Sequence, residues 1–269
     1  MSRAVLSLCA VMLAVGCSQR DPAPVGGTGG AAGTGFSGSG GTAATAGSGG
    51  TAGSGGTAGM AGTGGGGTGG STADYYPLVE GASWTYLHTN ADQTMRTEEV
   101  MVAATTYEGQ AGFLIVDSGN AAGQHDESVL VRSGTSVVRV YSETLAGQAL
   151  LFSVTYENPG FVRFDDAWHE RTPGFSEDRT YTRTEYDAQG LNPVVDPRTQ
   201  RFIVEAHGET LTVPAGTFND VIRVRRDRVG FTNDSNKQFW FAPGVGKIRE
   251  VDLISGDIEE LTAYTIPGG

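Results

Sequence analysis

The chain is almost without cysteine: of 269 residues only Cys9 and Cys17 carry a thiol, and both lie at the extreme N-terminus. Nothing beyond residue 17 can therefore form a disulfide framework or a thiolate metal site. Histidine is nearly as scarce, with only His88, His125, His169 and His207. They are far apart in sequence and none falls in an HExxH pattern, so a zinc centre would have to be assembled from histidine and carboxylate alone. Basic residues are also in deficit. Eighteen Lys and Arg stand against 30 Asp and Glu, a formal net charge of −12. An acidic surface repels nucleic acid and anionic lipid, which makes both poor partners. Nor is there an apolar run near the ~20 residues that a bilayer-spanning helix needs.

What is present begins with a leader. Arg3 supplies a positive charge, and Ala4 to Val15 is a stretch of small and apolar residues, roughly a dozen long, the length of a secretory h-region. It closes on Leu13-Ala14-Val15-Gly16-Cys17. This resembles the lipobox of bacterial lipoproteins, with the usual leucine displaced by one place so that Ala14 fills its slot. The resemblance implies a signal peptide over 1–16, acylation of Cys17, and a membrane partner engaged through the N-terminal acyl chains. Each buried methylene contributes about 0.8 kcal/mol, and two or three chains anchor firmly where one does not. Ser18, rather than aspartate, follows the cysteine, which by the same resemblance favours the outer membrane within the cell envelope.

Residues 17–73 are dominated by Gly, Thr, Ala and Ser and contain an imperfect six-residue repeat at Thr45–Gly50 and Thr51–Gly56. The repeat has too little apolar surface to stack as a solenoid, and its glycine spacing is not that of collagen. A tether of this kind remains a flexible coil, about 40 Å in r.m.s. span for ~50 residues and ~170 Å at full extension. GxGxxG matches within it have no flanking strand or helix and carry no nucleotide-binding weight.

Residues 74–269 suffice for one core and read as a succession of strands. Trp84 and Tyr86 alternate with polar neighbours, as do Phe152, Val154 and Tyr156, then Phe202 with Val204, Leu211 with Val213, and Ile222 with Val224. Turn residues punctuate them at Asn158-Pro159-Gly160, Asp187 to Gly190, Pro214-Ala215-Gly216, Pro243-Gly244 and Ser255-Gly256-Asp257. Short spacings favour antiparallel hairpins. One short helix is expected near Ser142–Gly147.

Three segments carry a second resemblance: Tyr76-Pro77-Leu78 with Gly81 to Tyr86, Thr210 to Phe218, and Phe239 to Lys247. Together they are similar to a group of uncharacterised exported bacterial proteins with a VPAGTF…WFAPGVG pattern, distantly like the bent half-barrels of lipoprotein carriers. The fold this implies is mainly β, a single strongly bent antiparallel sheet forming a half-barrel or open barrel. Read physically, both motifs are turns: Pro214 to Gly216 breaks one strand and buries Phe218 at the start of the next, and Ala242 to Gly246 closes a hairpin.

Candidate chemistry is sparse. Asp165-Asp166-Ala167-Trp168-His169-Glu170 is the densest polar cluster and reads as an acidic loop around a packed tryptophan. Arg223, Arg225, Arg226 and Arg228 share one strand; Arg223 and Arg225, opposite Ile222 and Val224, read as cross-strand ion-pair partners. Asn233-Asp234-Ser235 matches a glycosylation sequon, of little meaning in a bacterial lipoprotein. Neither a nucleophile elbow nor a cofactor motif appears, so the expectation is a non-enzymatic binding module that needs no cofactor or metal. A bent sheet lined by Trp84, Tyr86, Phe152, Trp240 and Phe241 would offer an apolar concavity to a lipid-like ligand. The alternative is a structural lipoprotein that engages an envelope protein or glycan.

Overall fold

The computed structural model describes residues 74–118, 123–157, 159–231 and 236–268. The leader, Cys17, the tether, Asn158 and the sequon at Asn233 lie outside them.

Thirteen strands are described, joined mostly by short turns. They are β1 (Ser83–Thr89), β2 (Met95–Tyr107), β3 (Gln110–Asp117), β4 (Gln124–Ser133), β5 (Ser136–Ala146), β6 (Ala149–Glu157) and β7 (Phe161–Asp165), then β8 (Ser176–Asp187), β9 (Val194–Val213), β10 (Gly216–Arg228), β11 (Lys237–Ala242), β12 (Gly246–Asp252) and β13 (Ile258–Thr265). Between β7 and β8 lies one 3-10 turn, Asp166–Glu170.

Every pairing is antiparallel, but the sheet is not the expected half-barrel or open barrel. The order runs β4-β3-β2-β1-β13-β12-β11-β10-β9-β8-β6-β5, and β5 pairs again with β4 from Gln124↔Ala146 to Ser133↔Ser136. Twelve strands thus close into a ring, with β7 attached to β5 alone. Closure leaves no free edge among the twelve to template aggregation. Hairpins are local and legible as such. The β1–β13 pairing that ends the ring joins residues from opposite ends of the domain, and nothing local announces it.

The expected helix near Ser142–Gly147 is also overturned. Ser142–Ala146 is the second half of β5, where Thr144 Oγ1 donates to Asp126 Oδ1 at 2.5 Å across the β4–β5 pair. The chain turns only at Gly147, whose φ of +61° suits glycine.

The alternation of β1 is realised: Trp84 and Tyr86 are buried and their neighbours are not. The 20-residue β9 pairs with β8 along its first half and with β10 along its second. The far tip of the β9–β10 hairpin folds back onto the barrel, where the Ala215 N–H donates to the Leu261 carbonyl at 2.9 Å. Val213 and Val221 there pack with Trp240, Ile248 and Leu261 in one buried cluster, and Phe218 joins it only half-buried, less than its motif implied. A second cluster fills the barrel, where Phe164 of β7 lies 4.6 Å from Phe241 of β11, ring to ring. The 3-10 turn seals that region. The Asp165 carboxylate caps it, accepting from the Ala167 N–H at 3.0 Å, and buried Trp168 donates to Glu177 at 2.8 Å.

Candidate functional site

The first feature is a set of charges inside the barrel. Residues directly opposite in an antiparallel pair share a face. Register therefore puts Tyr86 with Glu98, His88 with Arg96 and Glu259, and Glu259 with Glu250 on one face. A bulge in β12 brings Lys247 to that face as well, so that Lys247 and Glu250, three residues apart, meet at 2.9 Å. Lys247 also reaches Glu259 at 2.5 Å and lies 4.9 Å from the Tyr86 ring centre, while Lys237 pairs with Glu250 at 2.6 Å.

Burial opposes the ammonium of Lys247, yet Glu250 and Glu259 outweigh it and hold the pKa well above the ordinary lysine value. Burial likewise works against Glu250, but Lys237 and Lys247 keep its pKa well below the usual carboxylate range. Glu259 moves the other way: burial raises it, and Lys247 only partly offsets that. Asp117 on β3 is pushed up to about 7 by burial and by Glu98, against the pull of Arg139 and Arg163. Burial works against the charge of Arg163 on β7, and the charges of Glu250 on β12 and of Asp117 both help to raise its pKa.

His88, Glu98 and Glu259 bring three ligand-type atoms within 4.8 Å of one another. The donor set does not fit a metal. Arg96 Nη2 lies 3.0 Å from His88 Nδ1, and a guanidinium can only donate, so Nδ1 accepts and the ring hydrogen is on Nε2. That N–H faces Glu98 and, at 3.5 Å, Glu259. A metal-bound imidazole carries the reverse arrangement, with its second nitrogen donating to an oxygen. The triad is a hydrogen-bonded knot that joins β1, β2 and β13.

The second feature is a cleft of about 560 Å³ at the barrel end where the β2–β3, β4–β5 and β6–β7 turns converge. Buried Val131 and Val138 with half-buried Val140 line its inner side, and Tyr107 and Tyr156 flank them. Glu108, Gln110, Ser133 and Glu157 are exposed at its mouth. Tyr107 stacks on Tyr141, and Tyr156 on Phe161. Gly160 closes one side with φ of +91°, where a Cβ would stand 3.0 Å from the Arg139 carbonyl. Burial and the adjacent Glu108 raise the Tyr107 pKa, so its hydroxyl is protonated at neutral pH.

The aromatic residues expected to line one concavity are distributed differently. Trp84, Tyr86 and Trp240 belong to the first buried cluster and Phe241 to the second, while Phe152 is half-buried on β6. Trp240 and Phe241 are strand neighbours pointing to opposite faces, and Trp240 lies between Arg223 and Arg249, 5.9 and 5.2 Å from their guanidinium carbons. None of the five lines the cleft.

The arginine row is committed to pairs. Arg223 reaches Glu205 and Glu209 at 3.3 and 3.5 Å, and Arg225 reaches Asp227 at 2.7 Å. Arg226 is buried between the rings of Phe161 and Phe239, at 5.0 and 4.9 Å. Sequence reading missed His88 and Glu98 as interior groups, although the parity of Trp84 and Tyr86 extends to His88. The cleft had no such signal, since its residues come from three separate turns.

No family model matches the chain, and no curated protein does. Among solved structures it is similar to a protein from Bacteroides fragilis described as exported with a YmcC-like fold, at 16% identity and a TM-score of 0.45, covering 72% of this chain and 100% of that one. A protein from Parabacteroides distasonis described as a lipoprotein matches at 15% identity and 0.32, covering 72% and 99%. The hypothetical lipoprotein YmcC of Escherichia coli matches at 12% and 0.31, covering 68% and 85%. Likeness this loose says nothing of ligand or activity.

Proposed function

We propose that the β-domain is a non-enzymatic binding module, held at the cell envelope by acyl chains on Cys17, and that its ligand enters the cleft between the β2–β3, β4–β5 and β6–β7 turns. The observation that carries this reading is the cleft itself. Its volume of about 560 Å³ falls within the ~300–1,000 Å³ of small-molecule sites. Three valines offer an apolar floor, and the tyrosines and mouth residues offer polar atoms to orient a ligand. The interior charges, by contrast, pair largely with one another, as Lys247 does with Glu250 and Glu259.

Native mass spectrometry of the full chain carrying Cys17→Ala, purified without detergent, tests the reading. The expected result is a low-mass adduct that dissociates on denaturation and is lost in Ser133→Trp, where an indole would fill the mouth from an exposed position. A bare mass in both proteins, with no small molecule able to shift thermal stability, would sink it.

A second reading has its own support. Leu191, Val194, Val195, Phe231, Leu253 and Ile254 are large apolar residues, each at least 43% exposed. They all lie at or next to the turns at the opposite end of the barrel. A rim of this kind suits an envelope protein partner. Cross-linking in cells that is abolished by polar substitutions at this rim, and indifferent to Ser133→Trp, would favour that reading over the first.

A further inference from the structure

Resting on the cleft reading, we infer that the ligand is a small organic cation: an apolar body carrying an ammonium group, with the body on the valine floor and the charge at the mouth.

The reasoning starts from charge. Glu108 and Glu157 both line the cleft and both are exposed. Among the described residues neither has a hydrogen-bond or ion-pair partner for its carboxylate, and none of those lining the cleft is Lys, Arg or His. Elsewhere several cations are each shared between two carboxylates: Arg132 by Asp74 and Asp166, Arg179 by Asp165 and Glu177, Lys247 by Glu250 and Glu259. The cleft mouth lacks such a counter-ion.

Geometry adds to this. Glu108 sits at φ +50°, in the left-handed region, at the tip of the β2–β3 turn, and Glu157 ends β6 just before the turn to β7. The two carboxylates thus come from separate turns that flank one cavity. Tyr107 and Tyr156 line the cleft beside them, each stacked on one side by another ring, and an aromatic face attracts cations and not anions. A carboxylate or phosphate ligand would meet like charge at the mouth with no cation to receive it, and would lose its hydration without a partner.

The test compares three ligands with the same eight-carbon body and different heads: octylammonium, octanol and octanoate. Each is titrated calorimetrically into the full chain carrying Cys17→Ala at fixed ionic strength. Octylammonium should bind at least about tenfold more tightly than octanol, a margin that charge-assisted pairing at a partly exposed site can supply. Octanoate should bind more weakly than octanol. The double substitution Glu108→Gln with Glu157→Gln should bring octylammonium down to the octanol value. Ser133→Trp should abolish binding of both.

The inference is overturned, with the cleft reading intact, if octanol and octylammonium bind equally and both are blocked by Ser133→Trp. Octylammonium binding that ignores Ser133→Trp and the double substitution would reveal diffuse attraction to an acidic protein, which also overturns it. If none of the three binds, the cleft reading falls with it. Glu108, Glu157 and Ser133 are all exposed, so circular dichroism of the variants should match the parent.

Discussion

The indole Nε1–H of Trp84 donates to the main-chain carbonyl of Val245 at 2.6 Å, buried within the barrel wall. One bond thus ties β1 to the turn between β11 and β12. Two residues along, the Tyr86 hydroxyl donates to the Lys247 carbonyl at 2.9 Å, and the Gly244 N–H is taken by the Asp74 carbonyl at 2.8 Å. The opening segment from Asp74 to Tyr86 and the Ala242–Lys247 turn are therefore two halves of one structural joint. Trp84→Phe keeps most of the apolar surface and removes the donor, leaving a buried carbonyl unpaired. The expected cost is about 1–3 kcal/mol, read as a lower denaturant midpoint with unchanged slope. A change below a few tenths would mean that water replaces the indole.

Gly160 carries two constraints at once, a φ of +91° and a backbone carbonyl 3.0 Å from where a Cβ would stand. Gly147 carries only the first: its φ is +61° and it faces open space. Alanine at Gly147 should cost about 1–2 kcal/mol from left-handed backbone alone. Alanine at Gly160 should cost clearly more, because Val138 and the Arg139 carbonyl must also give way. Equal losses in chemical denaturation would show that β5 yields freely beneath the cleft.

Burial and the nearby Glu98 push the Asp117 carboxyl up to about 7, so the folded protein retains a proton there that the unfolded chain releases near its ordinary value. The stability this group contributes is complete below the unfolded pKa and is lost as pH rises through about 7. Glu250 acts in the opposite sense. Its lowered pKa contributes stability above the usual carboxylate range that is lost as pH falls through its folded value. Thermal stability should accordingly decline from about pH 4, where the unfolded carboxyl titrates, to about pH 7, and should also fall at low pH. Asp117→Asn should make the decline between about pH 4 and about pH 7 shallower, with raised Glu259 sustaining the rest, and leave the acid limb unchanged. A variant with the same slope as the parent would remove Asp117 as its cause.

Much of the barrel is legible residue by residue. Alternation finds Trp84 and Tyr86, and the Pro-Gly and Asp-rich turns delimit most strands, because side-chain period and turn chemistry are local. Asp165 to Glu170 also reads correctly as an acidic segment around a packed tryptophan. Closure does not, since the β1–β13 pairing joins residues 83–89 to 258–265 and the β6–β8 pairing passes over β7, and neither has a local signal. The five aromatic residues expected to line one concavity fall instead into two buried clusters and one half-buried position. Parity along β11 sends Trp240 and Phe241 to opposite faces, while the cleft forms where Tyr107, Ser133 and Gly160 come together at three separate turns. The knot of His88, Glu98 and Glu259 was invisible because β13 is needed to complete it.

The anchor supplies the last prediction. With Cys17 the only cysteine outside the apolar stretch of the leader, an acyl label in the protein has one place to go. Cells fed an alkyne-bearing fatty acid should incorporate it into the parent and not into Cys17→Ala. The parent should stay with membranes through high-salt washing, which strips charge-held proteins but not acyl chains. Cys9→Ala should behave as the parent, since Cys9 lies within the leader. Label retained in Cys17→Ala would remove the lipoprotein assignment and, with it, the reason for a tether of fifty-odd glycine-rich residues between membrane and barrel.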